Sequence, residues 1–305
     1  VARFVGEKSI SMLYGDGGTA KSTIALAIGL MIATGEEIAG LYASRLCPVL
    51  YLDWEDDSDV HAERLRALCT TLGIVMPTEM LMYKSCAASL PESVRVIRRA
   101  IAETGAGFVI VDSIGMASPN LASDGILATM RSMRMLGVPV LALHHLAKDA
   151  KDKSKPFGSV YASNEARTTW LIERDEESAD PLVAITHQKV NRGRLIRTPF
   201  AYRVDFEMVE EELQGIAITA ANINDVSTVR KKMQPWKQVR DLLLANSEPL
   251  TISDIQDALA IEGMQLSAGA IRAALNRQSS VFTKVGSRTT NGGRPEVTWG
   301  VLSAV

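Results

Sequence analysis

The chain has 305 residues, 47% of them apolar, 22% charged, and a formal net charge of −2. This is an ordinary globular composition, long enough for one large domain and a small one. So little net charge excludes a uniformly basic surface, and any contact with nucleic acid has to come from local patches. The three cysteines, Cys47, Cys69 and Cys86, lack C-x-x-C spacing and exclude a disulfide framework or thiolate metal site, as in a reduced, cytoplasmic protein.

The first predicted elements are a strand over Ile10–Tyr14 and a helix over Thr23–Thr34, joined by Gly15-Asp16-Gly17-Gly18-Thr19-Ala20-Lys21-Ser22. Strand, glycine-rich turn and helix in that order form the setting of a phosphate-binding loop. Its backbone N–H groups converge on an anion at the positive end of the helix, so Gly15 through Thr23 are the expected nucleotide-binding residues. Lys21 would reach the β- and γ-phosphates, and the Ser22 hydroxyl would join the shell of Mg²⁺. Ala20 stands where the pattern G-x-x-x-x-G-K-[ST] has its second glycine; a positive φ there would cost its methyl group ~1 kcal/mol or more. The run Ile24–Ala33 is too short to span a membrane, and no signal segment precedes it. The chain opens on Val1 rather than Met, which leaves room for a preceding domain.

Further along, Pro48–Glu55 reads as a buried strand ending in carboxylates, Ser58–Leu72 as an amphipathic helix and Leu81–Tyr83 as a short strand. A helix over Pro91–Glu103 precedes the apolar strand Phe108–Ser113. A helix over Leu121–Met135 then leads to the strand Val138–Leu143, which ends in His144-His145. Strands apolar on both faces and alternating with helices predict an α/β fold with a mostly parallel sheet. Lys148–Lys155, KDAKDKSK, reads as a loop. Phe157–Arg167 reads as a short helix or turn, and Thr168–Glu173, Leu182–His187, Phe200–Phe206 and Ile216–Ala220 as strands, the last two antiparallel at the sheet edge.

A polar stretch at 223–235 is the expected linker between a first domain (1–222) and a second (236–305). In the second, helices over Trp236–Ala245, Ile252–Glu262 and Ala268–Arg277, with Ser267 as N-cap, precede strands at Val281–Val285 and Val297–Val301. Three helices followed by a hairpin is the winged-helix arrangement. Ala268–Arg277 would be its recognition helix, offering Arg272, Asn276 and Arg277, with Arg288 and Arg294 on the wing.

Asp112, at the end of an apolar strand, is placed to hold the Mg²⁺ shell beside Ser22. No glutamate follows it, so the expected base for an attacking water is Glu55, with Asp56 and Asp57 as neighbours able to replace it or to cap the next helix. From Phe4 to Asp205 the chain resembles the RecA-like P-loop ATPases of the RepA-type hexameric helicase group. The blocks that carry this are GDGGTAKS, VLYLDWEDD, FVIVDS, VLALHH, and FGSVYASNEARTTW followed by THQKVNRG. The resemblance implies that His144 or His145 senses the γ-phosphate; strand alternation lets only one of them face it. It further implies that Arg167 is an arginine finger acting across a subunit interface, and that Lys189 points at the neighbour's nucleotide. Lys148, Lys151, Lys153 and Lys155 would contact DNA phosphates in a central channel.

The expected protein is therefore an ATP- and Mg²⁺-dependent oligomer, a hexamer by resemblance, acting on DNA as a replicative or plasmid-type helicase. Single-stranded DNA would pass through the ATPase ring and duplex DNA would meet the winged helix. Two alternatives stand beside this: an ATP-switched DNA-binding regulator or loader, and a recombinase-like DNA-dependent ATPase.

Overall fold

In the computed structural model the alternating strands and helices of the first unit, residues 1–226, build one large sheet; the second unit starts at Ser227. The structure describes residues 4–6, 9–146, 160–176, 178–232, 234–246, 248–261, 264–289 and 295–302. In chain order the first unit runs β1 (Ile10–Gly15), α1 (Lys21–Thr34), β2 (Val49–Asp53), α2 (Ser58–Leu72), β3 (Leu81–Ser85), α3 (Leu90–Thr104) and β4 (Phe108–Asp112). It continues with α4 (Ile114–Ala117), α5 (Ser123–Met135), β5 (Val140–His145), α6 (Val160–Glu165), β6 (Thr168–Arg174), β7 (Leu182–Val190), β8 (Phe200–Val209) and β9 (Glu212–Ala221). The strand order is β3-β2-β4-β5-β1-β6-β7-β8-β9, parallel from β3 to β6 and antiparallel from there to β9.

The core sits in two layers. On one face Met12, Leu52, Val109, Val111 and Ala142 pack against Ile97 of α3 and Met130 of α5. The other face is organised by α1, which has no polar side chain from Ile24 to Ala33 and is buried along that whole run. A helix apolar all round has to be covered all round. Val49, Tyr51, Ile110, Leu141 and Leu143 of the sheet join it in one core cluster, as do Tyr202, Val204 and Ile216 of the β8–β9 hairpin.

That hairpin is longer than the sequence pattern predicts. Only Glu210 and Glu211 join its strands, both at positive φ (49° and 70°). A two-residue turn with both centres left-handed matches the twist of the strands, but Asn-Gly is its usual signature and Glu-Glu carries no turn signal.

The second unit begins with α7 (Ser227–Lys232), a short helix inside the stretch expected to be a linker; it follows a 3₁₀ turn at Ile223–Asp225. Then come α8 (Pro235–Ala245), α9 (Ile252–Ile261), α10 (Ala268–Arg277) and the antiparallel pair β10 (Phe282–Thr289) and β11 (Pro295–Val301). Val239, Leu242, Ile255, Leu259, Ile271, Leu275, Phe282 and Trp299 form its own core. Ser267 caps α10 by accepting the N–H of Ala270 at 3.2 Å. The two strands extend further toward the tip than the apolar residues indicate, and 290–294 lie outside the described residues.

The turn generates a prediction. Left-handed backbone costs an ordinary L-residue ~1–2 kcal/mol. Replacing both glutamates (Glu210→Asn with Glu211→Gly) should stabilise the first unit by ~1 kcal/mol or more and raise its melting temperature by ~3 °C in calorimetry.

Candidate active site

β1 ends at Gly15, where a Cβ would lie 2.3 Å from the carbonyl oxygen of Ile172 on β6, so only glycine fits. The loop then turns through Gly18 (φ 71°) and Ala20 (φ 58°, ψ 27°) into α1. Position 20 does take the left-handed conformation that the missing glycine serves, and the alanine methyl carries that cost. Thr19 donates its hydroxyl to the Asp16 carbonyl at 2.8 Å. Lys21 is buried and folds back into the loop, its Nζ donating to the carbonyls of Gly15 (3.1 Å) and Asp16 (2.7 Å). Burial lowers the Lys21 pKa, and the nearby charges of Asp112, Glu55 and Asp16 oppose that shift.

The carboxylates come from the neighbouring strands. β2 and β4 pair with Asp53 opposite Asp112, at the same sheet edge as the loop. Asp112 is buried, and two hydroxyls reach it: that of Ser22, and that of Tyr51, which donates to Oδ2 at 2.7 Å. Burial outweighs both hydrogen bonds and pushes the Asp112 pKa up to about 6. Asp53 has a different task. Its Oδ1 accepts the N–H groups of Glu55 (2.9 Å) and Asp56 (3.1 Å), turning the chain after β2. Glu55 is thereby brought against the end of β4, where its Oε1 accepts the Ser113 hydroxyl and lies 2.9 Å from Nε2 of His145. The His145 contact, seconded by Ser113, holds the Glu55 pKa below the ordinary glutamate range against its partial burial. Of the two histidines, His145 is therefore the one at the site. It lies opposite Gly15 in register, while His144 is buried on the other face of β5.

Ser22 and Asp112 supply adjacent hard oxygen donors, one neutral and one anionic, which suit Mg²⁺. Among the described residues no group of three or more histidine, cysteine, aspartate or glutamate side chains forms a metal site. A cation at Ser22 and Asp112 would thus be completed by phosphate oxygens and water, as Mg²⁺ usually is.

Residues 1–151, just under half of the chain, match the family model described as an AAA domain. The fold is similar to that of the KaiC-like protein PH0186 from the hyperthermophilic archaeon Pyrococcus horikoshii OT3. The TM-score is 0.51 at 15% identity, over 72% of this chain and 91% of that one. The first unit has the RecA-like P-loop ATPase fold. No curated protein matches the chain, and no described helix is long and apolar enough to cross a membrane.

Within this ATPase fold the other expected residues lie elsewhere. Thr168 pairs with Ser11 and Ile172 with Gly15, so Arg167, just before β6, sits at the opposite end of the sheet from the phosphate loop. It is exposed and lines a notch with Ser9, Arg134 and Glu165. Any contact of Arg167 with a phosphate would be to another copy's nucleotide. Lys189, expected to face a neighbour's nucleotide, donates within its own chain to the carbonyls of Ser163 (2.7 Å), Asn164 (3.0 Å) and Ala166 (2.8 Å), closing the end of α6. Lys148, Lys151, Lys153, Lys155 and Arg294 lie outside the described residues. In the second unit Arg272 and Arg277 are exposed on α10, whereas Arg288 is paired with Asp254 in the first turn of α9.

Two groups escape sequence reasoning. Arg174 at the end of β6 donates to the Gly18 carbonyl of the phosphate loop (3.3 Å) and to Ala179 (2.7 Å), tying the loop to the β6–β7 turn. The Ser113 hydroxyl, which holds Glu55, reads in sequence only as the residue after an aspartate. Beneath the carboxylates, His61 packs between Tyr51 (4.7 Å) and Tyr83 (4.1 Å), and burial pushes its pKa down to about 4.

These observations give two predictions. Ala20→Gly should relieve the left-handed alanine and stabilise the nucleotide-free protein by ~1 kcal/mol in denaturant unfolding. The second concerns pH. Burial holds the His61 pKa at about 4 in the fold against an ordinary 6.5, so the unfolded chain binds its proton first and stability falls as pH drops through that window. Asp112, raised from 3.8 to about 6, has the opposite slope over nearly the same range. His61→Phe removes the first effect alone. Between pH 7 and pH 4 its stability should therefore rise relative to the parent protein by up to ~3 kcal/mol in urea unfolding.

Proposed function

We propose that this protein is an ATP-hydrolysing motor that assembles as a ring of identical copies and works on DNA, in the manner of a plasmid- or phage-type helicase. The observation that carries the reading is the meeting of Lys21, Ser22, Asp112, Glu55 and His145 at one sheet edge. The loop amides and Lys21 hold the phosphates, which displace the Lys21 ammonium from the carbonyls it now contacts. Ser22 and Asp112 hold Mg²⁺, which when bound neutralises charge on the phosphate oxygens. Glu55, kept ionised, orients the attacking water and takes its proton. By the family resemblance His145 would sense the γ-phosphate, and its contact with Glu55 Oε1 would couple it to the base. Arg167 of an adjacent copy completes the charge stabilisation.

The DNA assignment is supported by the RepA-type pattern of the sequence, the lysine-rich run 148–155, and a second unit in which α8 to α10 and the antiparallel pair β10–β11 suit a winged helix presenting Arg272 and Arg277. One observation favours a slower, switch-like ATPase. Glu55 is engaged by both Ser113 and His145, and the phosphate loop holds a left-handed alanine. An ATP-gated regulator or loader needs no more turnover than such a site supplies.

The test is steady-state ATP hydrolysis against protein concentration, with and without single-stranded DNA. Specific activity should rise with concentration and with DNA. Lys21→Ala should abolish nucleotide binding and turnover. Arg167→Ala should lower kcat by about 10³-fold while leaving nucleotide affinity unchanged, as expected of a finger supplied in trans. An Arg167→Ala protein with native turnover would remove the ring from the proposal.

A further inference from the structure

Tyr51 lies in the apolar run of β2, is 2% exposed, and reads in sequence as one more packing residue. Its position says more. It shares a face of the sheet with Asp112, and its phenol donates to Asp112 Oδ2 at 2.7 Å from inside the core. The other hydroxyl on that carboxylate comes from Ser22 at the head of α1. An ionised carboxylate only accepts hydrogen bonds, and the torsion that turns its plane is soft, so the backbone alone does not fix where its oxygens point. A phenol is the reverse, a single donor at the end of a rigid ring. That ring is held in place by His61 edge-on at 4.7 Å, and His61 in turn rests on Tyr83 at 4.1 Å. Tyr83 donates to the Asp56 carbonyl at 3.1 Å, anchoring the turn that carries Glu55. One aromatic stack from β2, α2 and β3 thus supports both the Asp112 carboxylate and the Glu55 turn.

We propose that Tyr51 is a positioning residue of the metal site, setting the plane of the Asp112 carboxylate so that it meets Ser22 and a divalent cation in one orientation. The proposal rests on the reading of Ser22 and Asp112 as the Mg²⁺-side pair. Groups that orient a metal-binding side chain commonly alter metal affinity 10–100-fold when removed.

The experiment is equilibrium binding of a fluorescent ATP analogue to the full chain, titrated with Mg²⁺ and repeated in EDTA, with thermal melts alongside. Tyr51→Phe keeps the ring and its packing and removes only the donor. It should raise the half-saturating Mg²⁺ concentration about tenfold or more while leaving metal-free affinity within about twofold. Should Tyr51→Phe fail to fold, 4-methylphenylalanine in place of Tyr51 fills the same volume without a donor, and the same rise is expected. Introduced instead, 4-aminophenylalanine restores a donor at that point and should return the Mg²⁺ requirement toward the parent value. A folded non-donor variant with an unchanged Mg²⁺ curve, or one that weakens binding equally with and without metal, overturns the proposal. Asp112→Asn separates the two layers of the argument. If it too leaves the Mg²⁺ curve unchanged, the reading of the site falls and the proposal with it. If it raises the requirement and the non-donor variants do not, the proposal alone falls.

Discussion

Helix α1 has no polar face along most of its length, and the architecture of the first unit follows from the need to cover it. A parallel sheet covers one side of such a helix. The other side has to be closed by chain that comes later, and the antiparallel strands after β6 do that by bringing Tyr202, Val204 and Ile216 into the α1 cluster. The consequence at the loop is direct. With α1 held on all sides, its first turn is fixed against the end of β1, and the loop between them has little freedom. Close packing of β6 behind the loop, tight enough to exclude a Cβ at Gly15, adds to that constraint.

The same burial sets the electrostatics. Two carboxylates stand near one another at the sheet edge, and their surroundings push them in opposite directions. Asp112 lies in the dry layer under α1, where loss of water raises its pKa despite two hydroxyl donors. Glu55 sits on the turn outside β2, where His145 and Ser113 favour its charge. Environments that separate two titratable groups in this way mark a division of labour. On the proposed reading a cation beside the buried group would compensate it, whereas the outer one is already ionised and would be the base. Hydrogen bonds that stabilise a carboxylate also weaken it as a base, so the Glu55 contacts have to loosen before it can act on water.

Much of this was legible in the chain, for reasons that differ by residue. The phosphate loop announces itself because strand, glycines, Lys21-Ser22 and helix lie within a single short stretch, and each is local. Asp112 and Glu55 are legible as carboxylates ending or following apolar runs. The choice between His144 and His145 was not, because period-2 alternation says that they face opposite ways but not which face holds α1. Tyr51 is hidden for a related reason: a tyrosine in an apolar strand looks the same whether its hydroxyl meets water, a carbonyl or a carboxylate. The contacts of Arg174 and Lys189 are hidden more generally. A cation at a strand end has no sequence mark that separates a loop clamp or helix cap from a phosphate ligand. The Glu210-Glu211 turn shows the converse, left-handed backbone at two residues that carry no turn signal.

The geometry also bears on the proposed need for a second copy in hydrolysis. The two cations that touch the phosphate loop already serve it: Lys21 through the carbonyls of Gly15 and Asp16, Arg174 through those of Gly18 and Ala179. Phosphates entering the loop can recruit Lys21, whose flexible stem lets it follow them. Arg174 cannot follow without releasing the loop from the β6–β7 turn. Beyond Lys21 and the proposed Mg²⁺, a further cation for the transferred phosphoryl group would have to come from elsewhere, and Arg167 lies exposed at the far end of the same strand. On the proposed reading, an arginine so placed would act on a second copy's nucleotide, from the same strand that holds the loop in shape.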